Sequence, residues 1–217
     1  MKSRWIIGLG LVATTWMSVL TASNALAVRH RQPQRQLTLA TAKGPLPGGA
    51  NIVAASSDLT TTTVAGALKC SESVLTGKLR SMKPAQGTVG VRKATATGGE
   101  PDGGCTSPLG EADITALNLP WTLSFNRDGS SVLTSASKLA FKATFPTLGG
   151  LVCTFEAAKI TTHFPLGKRA KPLVLTASDQ VFTRDAATSS PACPASGEMN
   201  GHFEVTSRGK PVLAYIR

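Results

Sequence analysis

The chain has 217 residues, with 23 Lys and Arg against 12 Asp and Glu and a formal net charge of +11. Its 41% hydrophobic content is enough to bury a core, which excludes a disordered polycation. Only 16% of residues are charged and 5% aromatic, while 26 are threonine, a composition suited to β-strands.

Met1-Lys2-Ser3-Arg4 is a short positive segment, and Trp5 to Leu20 carries no charge. Ala25-Leu26-Ala27 then supplies a small-x-small exit. These three parts predict a secretory signal peptide over residues 1–27. The apolar run is shorter than the ~20 residues of a spanning helix, which favours cleavage over anchoring. No later run has spanning length, so no transmembrane segment is expected after cleavage. The expected location is secreted, in the extracellular space, and intracellular nucleic acid leaves the list of partners.

Residues 28–47 hold Arg29, Arg31, Arg35 and Lys43, no acid, and frequent Gln and Pro. This pattern predicts a flexible basic arm. Residues 48–217 are predicted to form one β-sandwich domain, because the signal there has period two. Trp121, Leu123 and Phe125 alternate with polar residues, and Asn126-Arg127-Asp128-Gly129 follows as a hairpin turn. Leu139, Phe141, Ala143 and Phe145 share a second strand face, before a turn at Thr147-Leu148-Gly149-Gly150. Leu151, Cys153 and Phe155 follow in the same way, then Phe203 and Val205, then a turn at Ser207-Arg208-Gly209-Lys210. No segment has a sustained 3.6-residue period, and Glu111 to Leu119 is short and stops at Pro120. The predicted class is all-β, an antiparallel β-sandwich or jelly roll of about ten strands.

Cys70, Cys105, Cys153 and Cys193 all lie beyond the signal segment. An even count in an exported chain predicts two disulfides, and four cysteines allow three pairings. Sequence neighbours, Cys70–Cys105 and Cys153–Cys193, are the preferred pairing. Each would pin a Gly/Pro-rich loop, around Cys105 or Cys193, to a strand. No C-x-x-C occurs, so the spacing does not suit a closed zinc site.

The order of Cys70, Cys105, Leu119-Pro120-Trp121, Gly150-Leu151-Val152-Cys153 and Cys193 resembles that of exported bacterial, actinobacterial-type two-disulfide β proteins, and more distantly the alkane-oxidation-activator type. The resemblance spans residues 48–217. It implies a non-catalytic extracellular or envelope-associated β protein, and it carries no catalytic residues over.

Candidate chemistry is sparse. His202 and Glu204 share a strand face, and His163 is a conceivable third metal ligand, but alternation alone produces such pairs. Glu100, Asp102, Glu111 and Asp113 flank Cys105 without a calcium-loop pattern. No G-x-S-x-G, S-x-x-K or H-E-x-x-H occurs. No catalytic residue, metal or cofactor is therefore assigned. The leading expectation is a non-enzymatic protein acting at the cell surface or extracellular matrix, with weak binding to anionic cell-envelope polymers. Lys168, Arg169, Lys171, Arg208 and Lys210 are its candidate surface-binding residues. The alternatives are a secreted hydrolase using His163 or His202, and a carrier of a small apolar ligand held between sheets.

Overall fold

The computed structural model describes residues 35–98 and 103–217. The expected signal peptide, residues 28–34 of the arm, and Glu100 and Asp102 lie outside them.

The described residues form nineteen strands joined by turns. The first seven are β1 (Leu37–Thr41), β2 (Gly44–Pro45), β3 (Asn51–Ser56), β4 (Leu59–Thr63), β5 (Gly66–Cys70), β6 (Glu72–Lys83) and β7 (Gln86–Thr97). Next come β8 (Cys105–Ser107), β9 (Gly110–Leu117), β10 (Trp121–Asn126), β11 (Ser130–Ser135), β12 (Leu139–Phe145) and β13 (Leu151–Ala157). The chain ends with β14 (Ile160–His163), β15 (Lys171–Pro172), β16 (Val174–Arg184), β17 (Ser196–Ser207), β18 (Lys210–Pro211) and β19 (Leu213–Ile216). The count exceeds the expected ten because long excursions contribute short hairpins and two-residue ladders. The class is as expected: all-β, antiparallel and sandwich-like, with two disulfides.

The alternating segments became strands because one face of each had a core to enter. Trp121, Leu123 and Phe125 are buried, as are Leu139, Ala143, Phe145, Cys153, Phe155, Phe203 and Val205. Turn chemistry fixes the register. Asp128 Oδ1 accepts hydrogen bonds from the Ser130 amide at 2.8 Å and the Ser130 hydroxyl at 2.6 Å, and Gly129 supplies φ +83°. Arg208 and Gly209 both take positive φ, as a tight two-residue hairpin requires.

The pairings close into two circuits. The first runs β3, β6, β7, β10, β11, β14, β16, β17 and back to β3. The second runs β4, β5, β8, β9, β12, β13, β16, β17 and back to β4. Both use the long strands β16 and β17, and a β7–β9 ladder joins them again. At one end of the first circuit β6–β7 and β10–β11 are joined by tight turns, and β14–β16 by residues 164–173, which include β15. At the other end each connection makes an excursion, and these excursions build the second circuit.

A separate four-stranded sheet, in the order β15-β19-β1-β2, covers the tight-turn end. This corrects the expectation of a flexible arm over 28–47, because residues 37–45 are ordered as β1 and β2. Leu37 and Leu39 are 0% and 2% exposed, paired with Ile216 and Ala214 of β19. Thr38 and Ala40 are buried too, so β1 is enclosed on both faces and shows no clean alternation.

The disulfides are Cys70–Cys105 and Cys153–Cys193, the expected pairing. Cys105 does not lie in a loop, since it opens β8 and ties that short strand to β5. Cys193 lies in a turn, where Arg184 Nη1 donates to the carbonyls of Pro191 (3.0 Å) and Cys193 (2.7 Å). The bridges span 35 and 40 residues, and each is worth about 4 kcal/mol in the chain-entropy model.

Leu39→Ala should lower unfolding free energy by about 2–4 kcal/mol in urea titrations, as for a buried core leucine. Lys43→Ala, on the exposed turn beside it, should change it by less than about 0.5 kcal/mol. Equal, negligible effects would mean that β1 is a loose arm after all.

Candidate functional site

Charge in the folded body is segregated. The covered end comprises residues 35–50, 83–86, 126–129, 164–173 and 206–217. Backbone hydrogen bonds knit these segments together: Gln36 and Arg217 exchange two, Leu37 donates to Pro84, and Arg127 to Ala85. Phe164 donates to Gly129, Leu173 to Val212, and Ile216 to Gly167. The five sequence-predicted cations, Lys168, Arg169, Lys171, Arg208 and Lys210, all fall here, and all are exposed. Arg35, Lys43, Lys83, Arg127 and Arg217 join them, also exposed. Against these ten stands one carboxylate, Asp128, which is held below the usual aspartate range by hydrogen bonds from the Ser130 hydroxyl and amide. The other described residues carry nine Lys and Arg and nine Asp and Glu. The excess positive charge of the described residues therefore sits at one end, where like charges reinforce one another's field. The Lys138–Glu156 ion pair and the His202–Asp58 contact lie elsewhere.

The opposite end is apolar at its tips. Val64, Leu109 and Leu148, in the β4–β5, β8–β9 and β12–β13 turns, are exposed.

His163 and His202 lie on one sheet face, with Thr176 of β16 between them in register. His202 and Glu204 do share a face. His202 is committed to Asp58, a residue the sequence pattern did not single out. Its Nδ1 lies 2.7 Å from Asp58 Oδ2, and its amide donates to Asp58 Oδ1 at 2.9 Å. The Ser56 hydroxyl also donates to Asp58 Oδ1, at 2.9 Å. The hydrogen bond from the His202 amide is the main reason that the Asp58 carboxyl is held below its ordinary range. A hydrolytic triad needs the serine proton to pass to the imidazole. Here it points at a carboxylate of lowered pKa, a poor base, so the arrangement pins the β3–β4 corner to β17. Among the described residues no group of three or more His, Cys, Asp or Glu is placed to hold a metal ion. Among them, too, no helix is long and apolar enough to cross a membrane.

Inside the body, where the two circuits merge, lies a cavity of about 120 Å³ that is partly open to solvent. Eleven strands contribute to its wall, which includes Leu75, Ile114, Trp121, Phe141 and Met199 and no charged side chain. Ser73 also lines it. That residue is 3% exposed, and its hydroxyl has no hydrogen-bond partner. Leaving a buried hydroxyl unpaired costs about 1–3 kcal/mol.

Comparison of the chain with protein-family models, with curated proteins and with solved structures gives no match. The resemblance drawn from cysteine order thus stands on the sequence alone, and functional argument rests on geometry.

Asp58→Ala should destabilise the protein by about 0.5–1 kcal/mol at neutral pH, a value reduced for the exposure of the pair. A carboxylate with a lowered folded-state pKa stabilises above its unfolded value and loses that contribution as pH falls through the folded value. The gap between wild type and variant should therefore narrow as pH falls below the ordinary aspartate range. Thermal unfolding across acidic pH measures this.

Proposed function

We propose that the protein is a non-enzymatic, exported β-sandwich that holds to anionic polymers of the cell envelope or extracellular matrix through its basic end. The carrying observation is the charge segregation: ten exposed cations and one carboxylate at one end, with balanced charge over the remaining described residues. Export is supported by the signal-peptide pattern of residues 1–27 and by the two disulfides, which persist in oxidising compartments. The cations sit on turns and short strands held by backbone hydrogen bonds, so they form a fixed surface. A polyanion neutralising several of them releases its counterions, and binding of this kind weakens steeply with salt.

Binding of residues 28–217 to cell envelopes by sedimentation, and to heparin as a defined polyanion, tests this reading. Affinity should fall at least about tenfold between 50 and 200 mM salt. The triple variant Lys168→Glu, Arg169→Glu, Lys171→Glu should bind at least about tenfold more weakly than wild type. A charge-matched variant on β6 and β7 (Lys78→Glu, Arg80→Glu, Arg92→Glu) should stay within about threefold. Equal losses in both would show that net charge alone decides, and the basic end would lose its role.

A further inference from the structure

We infer that the internal cavity is a binding site for a small neutral amphiphile, an apolar ring or chain of about six to eight carbons with one hydrogen-bonding head group, anchored by Ser73. This goes beyond adhesion and does not depend on it, since none of the residues at the basic end lines the cavity.

The register explains why space exists there. Across the β6–β7–β9 ladder, Leu75 faces Ala94, and Ser73 faces Ala96, which faces Ile114. On β9 and β12, Ala116 faces Phe141. Alanines stand where the circuits merge, and they are too short to fill the gap between the facing walls. Leu75, Ile114 and Phe141 accordingly stay half-buried although they point inward, whereas Phe125 at the covered end is fully buried. Inward apolar side chains with open space before them lose packing contacts that a ligand can restore.

The chemistry of the wall selects the ligand. A held water needs two to four polar partners. The wall offers few, because the Thr162 hydroxyl is already paired with Ser131. Thr61 and Thr95 also line it, and Ser73 is the deeply buried residue whose hydroxyl has no partner. Ser56, directly across the β3–β6 ladder, is turned toward Asp58, to which its hydroxyl donates, and makes no hydrogen bond to Ser73. An apolar body with one donor or acceptor at its end satisfies both features at once. The head must be neutral, such as an alcohol, ketone or ester. No cation lines the wall, and a carboxylate would lose its water without gaining a counter-charge. The volume is close to that of apolar cavities which accept a benzene-sized guest, about 150 Å³. The open side admits the ligand without unfolding.

The test measures binding of 1-octanol, n-octane and octanoate to residues 28–217 by NMR titration. Wild type should bind 1-octanol saturably, and octanoate at least about tenfold more weakly. Ser73→Ala should weaken 1-octanol by about fivefold or more and leave n-octane within about twofold. Ala116→Leu, which fills the space, should abolish binding of both. Ala94→Val gives the same reading with less added volume, should Ala116→Leu fail to fold. Absence of saturable 1-octanol binding to wild type overturns the site. Unchanged 1-octanol affinity in Ser73→Ala overturns the anchor, and unchanged binding in a folded cavity-filling variant places the ligand elsewhere.

Discussion

The β16–β17 ladder is the constraint on which the rest of the fold depends. β17 pairs with β16 along both of its halves, from Val174 opposite Glu204 to Thr183 opposite Ser196, across one irregularity between Ala177 and Gln180. One half of β17 closes the first circuit through β3, and the other closes the second through β4. Two rings of backbone hydrogen bonds therefore share one seam. Closure removes the open edges at which extended chains aggregate, so this body needs few charges along its strands to protect them. That accounts for so sparsely charged a chain forming so much sheet.

The shared seam also creates the cavity. A single closed circuit of eight strands encloses about the space that its own side chains fill. Here a second circuit is fused to the first, and the walls diverge where β7 leaves β10 and takes up β9. Large residues fill the covered end, where Leu37, Leu39, Phe125 and Phe164 pack together. Alanines occupy the merger. Natural cores approach crystal-like density, so a void kept open by three alanines in an otherwise large-residue wall, with an unpaired hydroxyl, departs from what stability alone would select.

The fold class was legible because its causes are local. Alternation in Trp121–Phe125 or Leu151–Phe155, and Asp128-Gly129 between strands, act over a few residues, and one face of each strand met a core. The disulfide pairing followed from sequence proximity, since each bridge joins one excursion to the next along the chain. β1 was not legible. It is buried on both faces and flanked by Arg, Gln and Pro, so its five residues carry neither alternation nor a turn signal. Its status depends on β19, at the other terminus of the chain. The Asp58–His202 contact joins residues 144 apart, and only the Ser56-x-Asp58 spacing hinted that Asp58 would turn its carboxylate back on the chain. The cavity was legible as a general possibility of a sandwich, but Ser73 was not, because an unpaired hydroxyl is a property of its surroundings.

The topology also changes what the basic composition means. Read along the chain, Arg35, Lys83, Arg127, the Lys168-Arg169-Lys171 group and Arg217 are spread over five segments. Up-and-down topology returns every second turn to the same end, so charge placed in alternate turns accumulates there. Asp and Glu are nearly absent from those turns, whereas the remaining surface is balanced. Each of these cations is exposed on a turn or a rim strand, and none contributes to the apolar core. Their number can therefore vary with little cost in stability. The cavity wall, in contrast, cannot change without changing the packing. Under the two proposals, affinity for a charged surface and affinity for an internal ligand would reside in different sets of residues, so mutational effects on the two would add independently.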